Sequence, residues 1–307
     1  MGENHRGYGD GAPTVQRRNV AGLRGTHREL KCLSGEFPCI VFLCAAILGN
    51  NRPAATVLPR MFLPELRAIA LFAILSSPAA ARLEFDAPAG DPYADRIRDV
   101  AVASQKEVEQ FFGRPYPDTI HFQMVADRAA FDAAAARFGM SPTQCWMVGL
   151  GTGDLLILLS PNDWKKQACE HDPADMPATR QLITHEMVHV FHGQFNSSRD
   201  FSGMDDLDWF VEGLAVLASG QLTKERSERM KAAVAKGEAP TSLSKVWTGP
   251  DRYAFAGSLV GYVDRTWGRA MTLRLLTVRN TAEALALLEK SEASLLAGWK
   301  SSLDSGA

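Results

Sequence analysis

The chain has 307 residues, 46% of them hydrophobic and 22% charged, with a formal net charge of −2 at pH 7. This is ordinary soluble composition, enough for one substantial domain or two small ones. Residues 82–307 taken alone hold 24 basic and 30 acidic residues, a formal charge of −6, and phosphate backbones need a basic footprint, so nucleic acid is excluded as a partner.

Residues 1–60 carry three of the five cysteines (Cys32, Cys39 and Cys44) and scattered arginines, with no helix or strand period. They read as an over-extended start or an unstructured segment. From Met61 a different pattern begins: Met61 to Arg67 resembles a short n-region, Ala68 to Leu75 an apolar h-region, and Ser76 to Ala81 a small-residue cleavage site. The expectation is a signal peptide over 61–81, a mature chain from Arg82, and a periplasmic or secreted protein. A competing reading takes Phe37 to Gly49 as the h-region behind Arg17-Arg18, but that pair lies far from the apolar run. Neither run reaches the ~18 residues of a membrane span. Cys145 and Cys169 then remain, an even pair able to form a disulfide in an oxidising compartment. A metal role for Cys169 with His171 has no support from ligand spacing.

Asp95 to Phe112 predicts an amphipathic helix stopped by Gly113 and Pro115, and Thr119 to Val125 alternates as a strand does. Asp127 caps an alanine-rich helix whose Phe131, Ala135 and Phe138 share a face before Gly139. Gly149 to Gly153 reads as a glycine-rich turn, leading into the apolar strand Asp154 to Leu159.

The next helix carries the chemistry. Asp175 and Pro177 mark its start and Gly193 its stop, and it contains His185-Glu186-Met187-Val188-His189, the pattern HExxH. Residues four apart on a helix share a face, so His185 and His189 can aim at one divalent metal, with Ile183, Met187, Val190 and Phe191 on the core side. Zinc accepts such nitrogens at roughly 2.0–2.1 Å and leaves a position for water, whose proton Glu186 can take. Two surface histidines on an ordinary helix are the bland alternative. A third ligand is offered by Glu212, the one charge in the ten-residue apolar stretch Trp209 to Ala218, where Gly213 and Ala215 permit close helix approach. His192 lies seven residues from His185, about 10.5 Å along the axis, too far to share one ion comfortably, so it is expected behind the ligands or at the rim of the site.

After that, the basic run Lys224 to Lys236 reads as the solvated face of a helix, and Thr281 to Trp299 as a core helix with leucines at helical spacing. With strands before the HExxH helix and helices after it, the fold class is α+β: a small mixed sheet beside that helix, then a helical C-terminal part.

HEMVH followed by WFVEGLA resembles the gluzincin zinc metallopeptidases, the group that includes thermolysin and many peptidase MA-like proteins. The resemblance implies a zincin-like fold over residues 82–307, zinc held by His185, His189 and Glu212, Glu186 as catalytic base, and a peptide or protein substrate. The metzincin pattern fails, since glycine would be needed at His192 and histidine at Phe195. The aspartate that steadies a zinc histidine in thermolysin-like sequences is replaced by Val216, which leaves Asp205, Asp206 or Asp208 to orient a ligand. The resemblance also implies that the 154–159 strand or its neighbour borders the cleft as an edge, and that Tyr253 stabilises the oxyanion; a core or capping tyrosine and a wholly buried strand are the alternatives. A peptidase-like module that binds an envelope partner or peptide without cleaving it is the second functional expectation.

Overall fold

In a computed structural model, residues 82–140 and 142–304 are described. The signal-peptide reading, the over-extended start and the first three cysteines lie outside them.

A four-stranded sheet comes first, β1 (Leu83–Asp86), β2 (Ile120–Val125), β3 (Gly149–Thr152) and β4 (Leu155–Leu159), in the order β1-β2-β4-β3. β1, β2 and β4 run parallel and β3 returns antiparallel to β4, so the sheet is mixed. The crossover from β1 to β2 is α1 (Ala94–Phe112), ended by Gly113 in the left-handed conformation. The crossover from β2 to β4 includes α2 (Arg128–Ala135), where the Asp127 carboxylate accepts from the Ala130 N–H.

β4 is the unbroken apolar strand that the sequence suggests, and its central place in the sheet explains why: Leu156 to Leu159 are all fully buried. Ser160-Pro161 does not merely end it. The Ser160 side chain caps a further short helix, α3 (Pro161–Gln167), with Pro161 in its first turn.

The glycine-rich stretch expected as a turn is instead the edge strand β3. Its glycines answer to the helix above it, α4 (Met176–Phe195), which carries the HEMVH residues. A Cβ on Gly151 would sit 2.1 Å from the Glu186 carbonyl oxygen, and one on Gly149 2.9 Å from Glu186 Cγ. Gly193, expected to stop α4, lies inside it for the same reason, because a Cβ there would meet the Gly153 backbone at 2.5 Å. Helix and strand thus approach backbone to backbone. Gly151→Ala should destabilise the protein by about 1–3 kcal/mol, since the obstacle is main chain and cannot rotate away. Thermal unfolding measures this; a change under about 0.5 kcal/mol would show that the contact tolerates a methyl group.

On its other side α4 packs against α1, where Thr184 Oγ1 donates to Ser104 Oγ and Phe191 stacks on Phe112 at 4.2 Å. The Tyr116 hydroxyl, fully buried, donates to the Met187 carbonyl at 2.8 Å.

The remaining chain is helical: α5 (Asp208–Ala218), α6 (Lys224–Ala235), α7 (Arg252–Trp267), α8 (Arg269–Leu275), α9 (Thr281–Leu288) and α10 (Glu292–Asp304). α5 runs against α7 through small residues, since a Cβ on Gly213 would lie 2.5 Å from the Ala256 carbonyl oxygen. α6 is the solvated basic helix expected, burying only Met230 and Ala233. The helix expected over 281–299 is two, broken where Glu289 takes a left-handed backbone (φ 53°). Among the described residues no helix is long and apolar enough to cross a membrane. The class is mixed α/β, sheet first and helices after.

Candidate metal centre

α4 buries both of its faces. Ile183, Met187, Val190 and Phe191 enter the core, and His185, Glu186 and His189 on the other side are also buried, each under 9% exposed. That second burial separates the motif from two histidines on a solvated helix.

α5 crosses this face and brings Glu212 to the histidines. Glu212 Oε2 lies 3.3 Å from His185 Nε2 and 3.6 Å from His189 Nε2, and the two Nε2 atoms are 3.1 Å apart. Ligand atoms held ~2.0–2.1 Å from one tetrahedral ion are themselves ~3.3–3.4 Å apart. The three observed edges bracket that spacing, so the donor set fits a single divalent ion without rearrangement. Among the described residues, no other group of three or more His, Cys, Asp or Glu has this convergence.

The charges agree with the geometry. Burial acts to raise the Glu212 pKa, but the charges and hydrogen bonds of His189 and His185 outweigh it and hold the carboxyl well below the usual carboxylate range. Burial acts to lower that of His189, and Glu212, with smaller contributions from Glu186 and Asp208, reverses the balance and raises it. Two imidazoles and one carboxylate therefore form a mutually stabilised cluster. A divalent cation would take the place of the histidine protons.

His192, expected at the rim of the site or behind its ligands, is instead a fully buried core residue. Its ring lies edge-on to Phe201 (5.1 Å) and Phe210 (5.7 Å), with no exposure. Burial first, and the neighbouring His189 second, lower its pKa to about 3. The unfolded chain takes up this proton below about pH 6.5 and the folded chain does not until about pH 3, so the contribution to stability is lost as pH falls through that window. At pH 5 the loss should be about 2 kcal/mol. Urea unfolding at pH 7 and pH 5 measures it, and His192→Leu should remove that share of the pH dependence; an unchanged dependence would assign it to other groups.

Phe201 reaches this place with a left-handed backbone (φ 60°), unusual for a bulky side chain, and lies 5.9 Å from the His189 ring. The aspartates expected to orient the zinc histidines do not do so. Asp206 ties the start of α9, accepting from the Thr281 N–H at 3.0 Å, and the Nδ1 atoms of His185 and His189 are buried without hydrogen-bond partners. The charge of Asp208 acts to raise the His189 pKa.

A cleft of about 470 Å³ opens beside the cluster. The start of β3 at Gly149 and the preceding Val148 form one wall, α4 the floor through His185 and Glu186, and the first turn of α7 the far side. The edge strand bordering the cleft is accordingly β3, the neighbour of the 154–159 strand. Tyr253 stands at the start of α7 with its ring 6.5 Å from that of His185. Burial, then the charges of Glu212 and Glu186, raise its pKa against the opposing effect of Arg252, so the phenol stays protonated at neutral pH.

Cys145 and Cys169 form a disulfide that closes the loop carrying Trp146 at the cleft mouth. This removes Cys169 as a metal ligand, and His171 Nε2 instead meets the Trp146 carbonyl at 2.8 Å. Arg128 fixes the same loop, donating to the carbonyls of Met147 and Cys145 and to Thr143 Oγ1. Sequence pattern marks no role for Arg128 or for the cleft residues Arg226 and Arg252, and it reads Gly149 and Gly151 as part of a turn. Glycine at alternate positions before an apolar strand was the available signal of close backbone approach. No protein-family model, curated protein or solved structure matches the chain.

Proposed function

We propose that this chain is a gluzincin-like zinc metallopeptidase, zincin-like in fold, that hydrolyses peptide bonds in the periplasm or after secretion. The observation that carries the reading is the convergence of His185 Nε2, His189 Nε2 and Glu212 Oε2 at tetrahedral spacing, beside a cleft lined by His185 and Glu186.

Zinc bound by these three would supply a Lewis acid that lowers the pKa of a water towards about 7 and polarises the carbonyl under attack. Glu186 then takes the proton of the attacking water on its carboxylate and returns it to the leaving amine. Tyr253, protonated at neutral pH, donates a hydrogen bond to the oxygen on which negative charge grows. The β3 edge offers main-chain groups to an extended substrate. The Cys145–Cys169 disulfide supports an oxidising compartment.

One observation favours a second reading. Histidine ligands of catalytic zinc ordinarily hand their other N–H to a carboxylate or carbonyl, and both Nδ1 atoms here lack such a partner. A peptidase-like module that binds an envelope partner or peptide without cleaving it would tolerate that omission. Metal analysis of the purified protein, coupled to a chelator-sensitive peptide-library assay, separates the two. Stoichiometric zinc with chelator-sensitive cleavage supports the enzyme, zinc without cleavage supports the module, and a protein that binds no zinc sinks the enzyme.

A further inference from the structure

The cleft beside the metal cluster contains two guanidinium groups that the hydrolytic reading does not use. Arg252, in the first turn of α7, lies among the rings of Trp146, Trp247 and Tyr253, with its Cζ 5.5, 5.4 and 5.4 Å from their centroids. Its Nε is buried and has no hydrogen-bond partner. Arg226, on α6, faces the same Tyr253 ring at 5.2 Å and spends one N–H on the Gln221 carbonyl at 3.0 Å. Among the described residues neither guanidinium forms an ion pair, whereas the nearby Arg229 pairs with Asp251 at 2.6 Å. A partly buried cation without an anion is costly, and aromatic faces repay only part of that cost. Position adds to the cost for Arg252, because a cation in the first turn of a helix opposes the helix dipole. The fold holds positive charge here that its own carboxylates do not neutralise; Glu170 lines the cleft yet reaches neither arginine.

We infer that Arg252 and Arg226 form a subsite for a carboxylate of the peptide substrate. A guanidinium offers paired N–H donors that match a carboxylate edge, and the aromatic cage holds the Arg252 fork in place while leaving its end to the cleft. Arg252 lies against Tyr253, and Tyr253 against His185 at 6.5 Å, which places the recognised carboxylate within about three to four residues of the scissile bond at ~3.3–3.6 Å per extended residue. The carboxylate is either an acidic side chain or the free C-terminus of the substrate.

This inference rests on the peptidase reading for the identity of the ligand as a peptide, and a binding test separates the two. Zinc-loaded Glu186→Gln protein would be titrated with a set of four model peptides for each position of a short scan, bearing Glu or Gln there and ending in a free or an amidated C-terminus. The fluorescence of Trp146 and Trp247, both in contact with Arg252, reports binding. Carboxylate-bearing peptides should bind at least about tenfold more tightly than their neutral counterparts, and that ratio should collapse in Arg252→Gln and shrink in Arg226→Gln. A preference that follows Glu over Gln assigns an acidic side chain, and one that follows the free over the amidated end assigns the C-terminus. Arg252→Lys, which keeps the charge and loses the fork, guards against a folding defect and should retain an intermediate ratio. Equal binding of charged and neutral peptides overturns the subsite even if wild-type protein cleaves them; a carboxylate preference that persists in both glutamine variants overturns it as well. Carboxylate-dependent binding with no cleavage by the wild type would uphold the subsite while the hydrolytic reading failed.

Discussion

Glu186→Gln should lower peptide hydrolysis by about 10²–10⁴-fold and leave zinc content at the wild-type level, the range expected when a general base is removed from a site otherwise intact. The two halves of this expectation come from different contacts. Glu186 is not among the three converging ligand atoms, so its loss leaves the donor set complete. Its side chain lies against the Gly149 backbone, where glutamine of the same size fits the same space. What glutamine cannot do is accept the water's proton. His189→Ala makes the contrast, because it should lose metal and activity together. Kinetics with a peptide found by library screening, alongside zinc analysis of each variant, measures both quantities. Near-wild-type turnover by Glu186→Gln would remove water activation from the mechanism.

The strands β2 and β4 and the His185, His189 and Glu212 cluster could be read from local pattern, whereas β1 left no signal and β3 resembled a turn. Helix boundaries at Asp127, Asp175 and Gly113 follow from side-chain caps and a left-handed glycine, which act over three or four residues and leave a trace in sequence. The cluster of His185, His189 and Glu212 was legible because each residue violates its surroundings: two histidines one turn apart on a helix, and a lone carboxylate within an apolar stretch. What was not legible depends on partners distant in the chain. Gly149, Gly151 and Gly193 look like turn and stop signals until α4 is laid across β3, when they become the places where two backbones touch. The break at Glu289 occurs at a residue with no special freedom to adopt a left-handed backbone, so local propensity gave no warning. Arg252 belongs to the same class, since its cage is drawn from the disulfide loop, the segment before α7 and α7 itself. Asp206 fails in the other direction: proximity in sequence to Glu212 suggested a partner for a zinc histidine, but the start of α9 takes its carboxylate.

Zinc affinity should fall by more than about 100-fold in Glu212→Ala and stay within about tenfold of wild type in His192→Leu. Glu212 Oε2 forms two edges of the ligand triangle, at 3.3 and 3.6 Å, and supplies the only formal negative charge among the three donors. Without it a site of three ligands becomes a site of two neutral imidazoles, and the ion keeps its full charge in a partly buried cavity. Loss of a group that merely orients a ligand already costs 10–100-fold, so loss of a ligand should exceed that range. His192 occupies a different environment, between Phe201 and Phe210, and its pKa is lowered by burial first and by the charge of His189 second. Leucine is close to it in size and suits the aromatic surroundings, so the helix that carries His185 and His189 should be undisturbed. Competition against a chromogenic chelator, with both variants in one buffer, decides the matter. If His192→Leu loses zinc while Glu212→Ala keeps it, the His185, His189 and Glu212 triangle is not the metal site, and the α5 carboxylate is only a partner that neutralises two buried histidines.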